Sequence, residues 1–274
     1  MAWSRRVQQW SRALIGFPVR PALAGLALLT LQACAGQPET PLEPVDWNAP
    51  LAGRSIDEIL AAPERGIDAA KQPVLMARER VGVRVVDVRG PGTWRTTLDH
   101  VHRLSRAERL DDAEVARAIE ARAAELPAPY LFELARRVVE EDPQRGLYWY
   151  ALGQARTVYA GARCTDPSVQ ANIQATLIDL KPVSEKARVE TFDNERLYAR
   201  ILQQVRDQGP ITDTTASPWW ICSSGQRTLN AARRGGTLAK GDWLLPRADW
   251  PVARKAARDH LDAEIARALR AAAQ

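Results

Sequence analysis

The stretch PYLFELARRVVEEDPQRGLYWYALGQARTVYAGARC, residues 129–164, decides the fold class. Tyr130, Leu131, Leu134, Ala135 and Val138 recur at helical spacing and place an apolar stripe along one face. Asp142-Pro143 then reads as a helix start. The aspartate can cap free N–H groups of the first turn, and proline at the first helical position gives up an N–H that has no intrahelical partner. Leu147 to Ala162 is apolar nearly all round, which describes a helix enclosed by neighbours rather than one lying on a surface. The two helices form one helix-turn-helix unit at the centre of a mainly α fold.

Working outward toward the C-terminus, Asp166-Pro167 repeats the start signal. Val169, Ile173, Thr176, Leu177 and Leu180 follow at helical spacing, and Lys181-Pro182 ends that run. Leu197, Tyr198, Ile201, Leu202 and Val205 make another stripe, stopped by Gly209-Pro210. A polar loop, TDTTASP over residues 212–218, leads to Trp219, Trp220 and Cys222. The last helix starts near Asp249 or Pro251 and turns Ala253, Ala257, Leu261, Ile265 and Leu269 inward.

Toward the N-terminus, Asp111 caps a helix with Glu114 at its third position, and Val115, Ile119 and Leu126 share a face. Ser55 and Glu58 form a second capping box, with Ile56, Ile59 and Leu60 inward. Between them the period changes. Val81–Val88 is rich in β-branched residues, Arg89–Gly92 is a turn signal and Thr93–Leu98 is again β-prone, so a small N-terminal β-hairpin is expected here. The fold class is therefore an irregular multi-helix domain with a small hairpin.

The segment Leu147–Arg156, LYWYALGQAR, weakly resembles the helical pairs of tetratricopeptide and Sel1-like repeats, which place aromatic and small residues at similar points. The resemblance covers one pair. The two Asp-Pro starts lie 24 residues apart, too close for a repeat of about 34 residues.

The stretch Ala22–Cys34, ALAGLALLTLQAC, follows four arginines (Arg5, Arg6, Arg12 and Arg20) with no acidic residue before Glu39. Its apolar run is far shorter than the roughly 20 residues that span a bilayer. It resembles the lipobox of bacterial lipoproteins: Leu31, Ala33 and Cys34 match, and Gln32 departs from that pattern. The resemblance implies a signal peptide over residues 1–33, cleavage before Cys34, and lipid on its sulfur and new N-terminus. Each buried acyl CH₂ contributes about 0.8 kcal/mol, so several chains form a durable anchor. Ala35 and Gly36, in place of an aspartate after the cysteine, imply the outer membrane of a Gram-negative cell. Ser4-Arg5-Arg6 is also similar to a twin-arginine export signal, but Gln8 and Gln9 stand where that motif has apolar residues. Residues 34–52, with Pro38, Pro41, Pro44 and Pro50, read as an extended tether. At about 3.1 Å per residue, its proline-bearing part, residues 35–50, reaches roughly 50 Å at most. Residues 53–274 are then the periplasmic domain.

This division corrects the charge balance. The chain has 274 residues, 38 Lys+Arg and 33 Asp+Glu. Removing the four signal arginines leaves 34 basic against 33 acidic residues, a nearly neutral domain without a nucleic-acid footprint. With Cys34 lipidated, Cys164 and Cys222 remain as an even pair. In an oxidising compartment they are expected to form a disulfide.

No catalytic signature stands in the chain. Ser223-Ser224-Gly225 lacks the first glycine of G-x-S-x-G, and Gly235–Lys240 has the wrong spacing for a phosphate-binding loop. His100 and His102 would face one side of a strand and could hold a metal with Asp99 or Asp87, but the plain reading is two polar residues at a junction. Glu140 and Glu141 read as surface residues, Asp142 as a cap, and His260 as a solvated residue. No cofactor or metal is expected.

Seven of the nine tryptophans follow Cys34. Trp219 and Trp220, beside Cys222, form either a rigid aromatic platform for a protein or sugar partner, or a cap on the open end of a helical core. They are the candidate binding surface. The leading functional expectation is a non-enzymatic, lipid-anchored binding module, serving as an envelope assembly factor or as an immunity protein against a periplasm-acting effector. The alternatives are a peptidoglycan- or glycan-acting enzyme with dispersed catalytic residues, or a small-molecule or lipid carrier.

Overall fold

The computed structural model describes residues 55–61, 76–80, 83–88, 92–107, 110–179, 194–234, 236, 238 and 240–274. The lipobox with Cys34, the tether, the turn Arg89–Pro91 and the helix stop at Leu180–Pro182 lie outside these residues. All described residues belong to one compact unit, Asp46–Gln274.

The described part is mainly helical. Its elements are α1 (Ile56–Ala61), β1 (Met76–Arg80), β2 (Val83–Asp87), α2 (Trp94–Arg106), α3 (Asp112–Ala121), α4 (Ala128–Val138), α5 (Pro143–Gly161), α6 (Val169–Asp179), α7 (Glu195–Gln208), α8 (Trp219–Cys222), α9 (Gln226–Arg233), α10 (Lys240–Trp243), a 3₁₀ turn (Arg247–Asp249) and α11 (Trp250–Ala271). The backbones of β1 and β2 run antiparallel, with Met76 opposite Asp87 and Arg80 opposite Val83.

The caps act where the residue types place them. Ser55 N–H donates to Glu58 Oε2 at 3.0 Å, and Glu58 N–H donates to Ser55 Oγ at 3.2 Å. Asp111 Oδ1 accepts from Glu114 N–H at 2.7 Å, and Asp142 Oδ1 from Arg145 N–H at 3.0 Å. Each satisfies a donor that the first turn cannot pair internally.

Among the described residues helix α5 runs between two cores. Its buried residues surround it, from Leu147 and Tyr150 to Tyr159 and Ala160. One core, with Tyr150 and Ala160, packs residues of α1, α2, α3, α4, α6 and α8. The other, with Leu147, Ala151, Leu152, Ala155 and Tyr159, packs residues of α7 and α11. A helix between two cores needs apolar residues on both faces, which is the pattern its sequence carries.

Two expectations are corrected. Thr93–Leu98 is not a strand. Thr93 Oγ1 accepts from Thr96 N–H at the start of α2, and Thr97, His100, Val101 and Leu104 form its buried face. That i, i+3, i+4, i+7 period outweighs the β propensity of three threonines and a tryptophan. On α11, Leu269 is 47% exposed and Ala268 is fully buried. A stripe in steps of four turns 40° too far each time, so a step of three must restore it.

Candidate functional site

The polypeptide is cross-linked where α5 ends. Cys164 and Cys222 form a disulfide across 58 positions, joining the residues after α5 to α8. Asp166 and Ser168 sit just beyond. Asp166 Oδ2 accepts from Arg227 N–H at 2.7 Å, and Ser168 Oγ accepts from Gln226 N–H at 2.8 Å. Gly225, at the N-cap of α9, has no side chain to offer, so α9 takes its caps from the opposite segment. A Cβ on Gly225 would lie 2.5 Å from Asp166 Oδ2, so glycine lets the carboxylate approach. Ser223 Oγ accepts from Trp94 N–H at 2.7 Å, which gives α2 a borrowed cap beside its own from Thr93.

The C-terminal segment docks along the same corner. Thr165 N–H donates to Trp243 O at 3.1 Å and Leu245 N–H to Arg163 O at 2.8 Å, with Cys164 bridged to Leu244. Trp219 and Trp220 lie inside this corner. They are 4% and 2% exposed, so they are not an aromatic platform on the surface. Trp220 stacks on Trp94 at 6.0 Å between centroids, and Trp219 meets Trp243 at 4.7 Å. The rings close the end of the core, and the candidate binding surface at Trp219 and Trp220 is corrected accordingly.

The histidine pair is also separated. His100 and His102 both lie on α2, where a two-residue spacing points side chains about 200° apart. His100 is buried, with Nδ1 2.7 Å from Tyr130 Oη. Among the described residues no three His, Cys, Asp or Glu side chains gather to hold a metal ion. His260 is half-buried rather than solvated, its Nε2 is enclosed without a partner, and burial lowers its proton affinity. Glu140 and Glu141 are exposed.

Neither protein-family models, nor curated proteins, nor solved structures yield a match to this chain.

Among the described residues three arginines are nearly enclosed: Arg137, Arg156 and Arg163. Arg137 donates to Glu133 Oε1 and to Leu104 O, both at 2.7 Å, and pairs with Asp112. Arg156 donates to the carbonyls of Pro210, Asp213 and Ala123 and holds the 210–213 loop down. Burial pushes its guanidinium down to about 10. Arg163, directly after the C-cap of α5, is different. Its guanidinium lies 4.4 Å from the Tyr159 ring centroid and 5.0 Å from that of Trp250, and Nε has no hydrogen-bond partner. Burial lowers its proton affinity, and the Tyr159 phenol offsets this in part. Nothing in the residue pattern marked Arg163, because its enclosure comes from Trp250, 87 positions away.

Proposed function

We propose that this chain is a lipid-anchored envelope protein, held at the outer membrane through Cys34 and facing the periplasm of a Gram-negative cell as a non-enzymatic binding module. The observation that supports the reading is the Cys164–Cys222 disulfide, a bond that belongs to an oxidising compartment, in a chain whose residues 22–34 resemble a lipobox. Among the described residues no helix is long and apolar enough to cross a membrane, so attachment in this reading falls to the lipid. The partner class is a protein: an assembly client, or an effector that the domain neutralises. A small hairpin of β1 and β2 belongs to the same proposal, as a persistent part of the domain. Amide hydrogen exchange of residues 76–87 checks it.

Fractionation of cells carrying Cys34→Ala tests the anchor. The variant is expected in the soluble periplasm, and its retention with membranes would overturn the lipobox reading. Affinity capture from cell envelopes with the full chain tests the role. One stoichiometric protein is the expected result. Enrichment of glycan strands without protein would replace the module with a peptidoglycan-acting protein.

A further inference from the structure

We infer that Arg163, between Tyr159 and Trp250, is a binding site for a carboxylate group of a ligand or partner. The argument starts from what buried arginines require. A guanidinium has five N–H donors and cannot shed its charge at neutral pH, so taking it out of water demands acceptors. Arg137 has two carboxylates and a carbonyl, and Arg156 has three carbonyls. Arg163 is only 3% exposed and has neither. Among the described residues it forms no ion pair, and its Nε is enclosed without an acceptor. The two ring faces attract the cation but leave its donors unused. Ring contacts engage a guanidinium through its charge and its faces, whereas a carboxylate is bound by the in-plane N–H donors, which neither ring satisfies.

The corner is built to hold this geometry. The Arg163 carbonyl accepts from Leu245 N–H at 2.8 Å, and Trp250 Nε1–H donates to Leu245 O at 3.0 Å. The backbone of Leu245 thus positions both the arginine and one of its rings, while the neighbouring Cys164 is cross-linked to α8. Arg247, an exposed residue, lies 5.5 Å from the Trp250 centroid, and among the described residues it too has no ion pair. It adds a second positive charge beside the same Trp250 ring, suited to steering an anion toward this corner.

The charge count selects the anion. One buried fork carries +1 and matches one carboxylate through two parallel N–H···O bonds. A phosphate dianion would bring a second charge to a place where only the exposed Arg247 could answer it. The ligand class is therefore a carboxylate, such as a chain terminus or an acidic side chain of a partner.

The test uses the purified full chain in detergent, with thermal unfolding followed across a graded series of sodium acetate, and separately of sodium phosphate, at constant ionic strength. Acetate is expected to raise the melting temperature in a saturable way and phosphate to act more weakly. Arg163→Lys keeps the charge but loses the fork. It should weaken apparent acetate affinity by about tenfold or more, the loss of one charge-assisted pair. Arg247→Ala, on an exposed side chain, should weaken it by a few-fold with the fold intact. Arg163→Met separates a binding site from a structural staple. It should abolish the acetate response while leaving unliganded melting equal or higher, because an uncompensated buried charge is removed. No saturable response to acetate, an unchanged response in Arg163→Lys, or a tighter response to phosphate would each overturn the assignment.

Discussion

The carboxylate of Asp166 accepts from the backbone N–H of Ser168 at 3.0 Å, from the Ser168 hydroxyl at 2.7 Å and from Arg227 N–H at 2.7 Å. Burial by itself pushes its pKa up, but these donors outweigh it and hold the carboxyl below the ordinary range. A depressed carboxylate contributes stability that is present above its unfolded pKa and is lost as pH falls through the folded one. Asp166→Asn should therefore lower the unfolding free energy at neutral pH by about 2 kcal/mol, the scale of a cap plus a charged hydrogen bond. In urea titrations repeated at falling pH, the gap between wild type and variant should close below the ordinary carboxylate range, as the wild-type group takes up its proton. A gap that stays constant into strong acid would refute the role given to the charge. The sequence marks Asp166 as a helix start, but its second task lies 61 positions away at Arg227. Local spacing cannot show a cap lent to a distant helix, and the same holds for Ser223 and Trp94.

At the scale of elements, the close approach of α4 and α5 depends on small residues. A Cβ on Gly146 would stand 2.6 Å from Val139 Cβ and 2.8 Å from its Cα, and one on Gly153 3.2 Å from the Phe132 ring. Alanine in a helix gains about 1 kcal/mol over glycine, whereas overpacking typically costs about 1–3 kcal/mol. At Gly146 the obstacle includes backbone, which cannot swing away, so Gly146→Ala should be destabilising by about 1–2 kcal/mol net. Gly241 has nothing within 4 Å of such a Cβ, and Gly241→Ala should be neutral or slightly stabilising in the same denaturant series. Equal midpoints for the two variants would remove the packing argument. The central place of α5 was legible in its sequence because a helix apolar on every face has few other places to go. The strand expected at Thr93–Leu98 failed for the converse reason: β-branched composition over six residues is weaker evidence than a buried period continued to Leu104.

For the whole molecule, the pairing of Cys164 with Cys222 followed from counting cysteines, whereas the fate of Trp219 and Trp220 did not. Tryptophan serves cores and binding surfaces alike, and only the positions of Trp94 and Trp243 decide which. The corner they fill has two kinds of tie. The disulfide restricts the unfolded chain, while the caps from Asp166, Ser168 and Ser223 and the strand-like contact at Leu244 act in the folded one. Closing a loop of 58 positions is worth about 4 kcal/mol in the chain-entropy account. Replacing Cys164 and Cys222 together by alanine should therefore lower the unfolding free energy by about that amount, read as an earlier urea midpoint under oxidising conditions. Because the caps and stacked rings remain, the near-ultraviolet dichroism of the tryptophans should stay native in the absence of urea. An unchanged midpoint would mean that the bond does not restrict the unfolded chain. Loss of the native aromatic signal in buffer would mean that the covalent tie, not the borrowed caps, holds this end of the two-core bundle together.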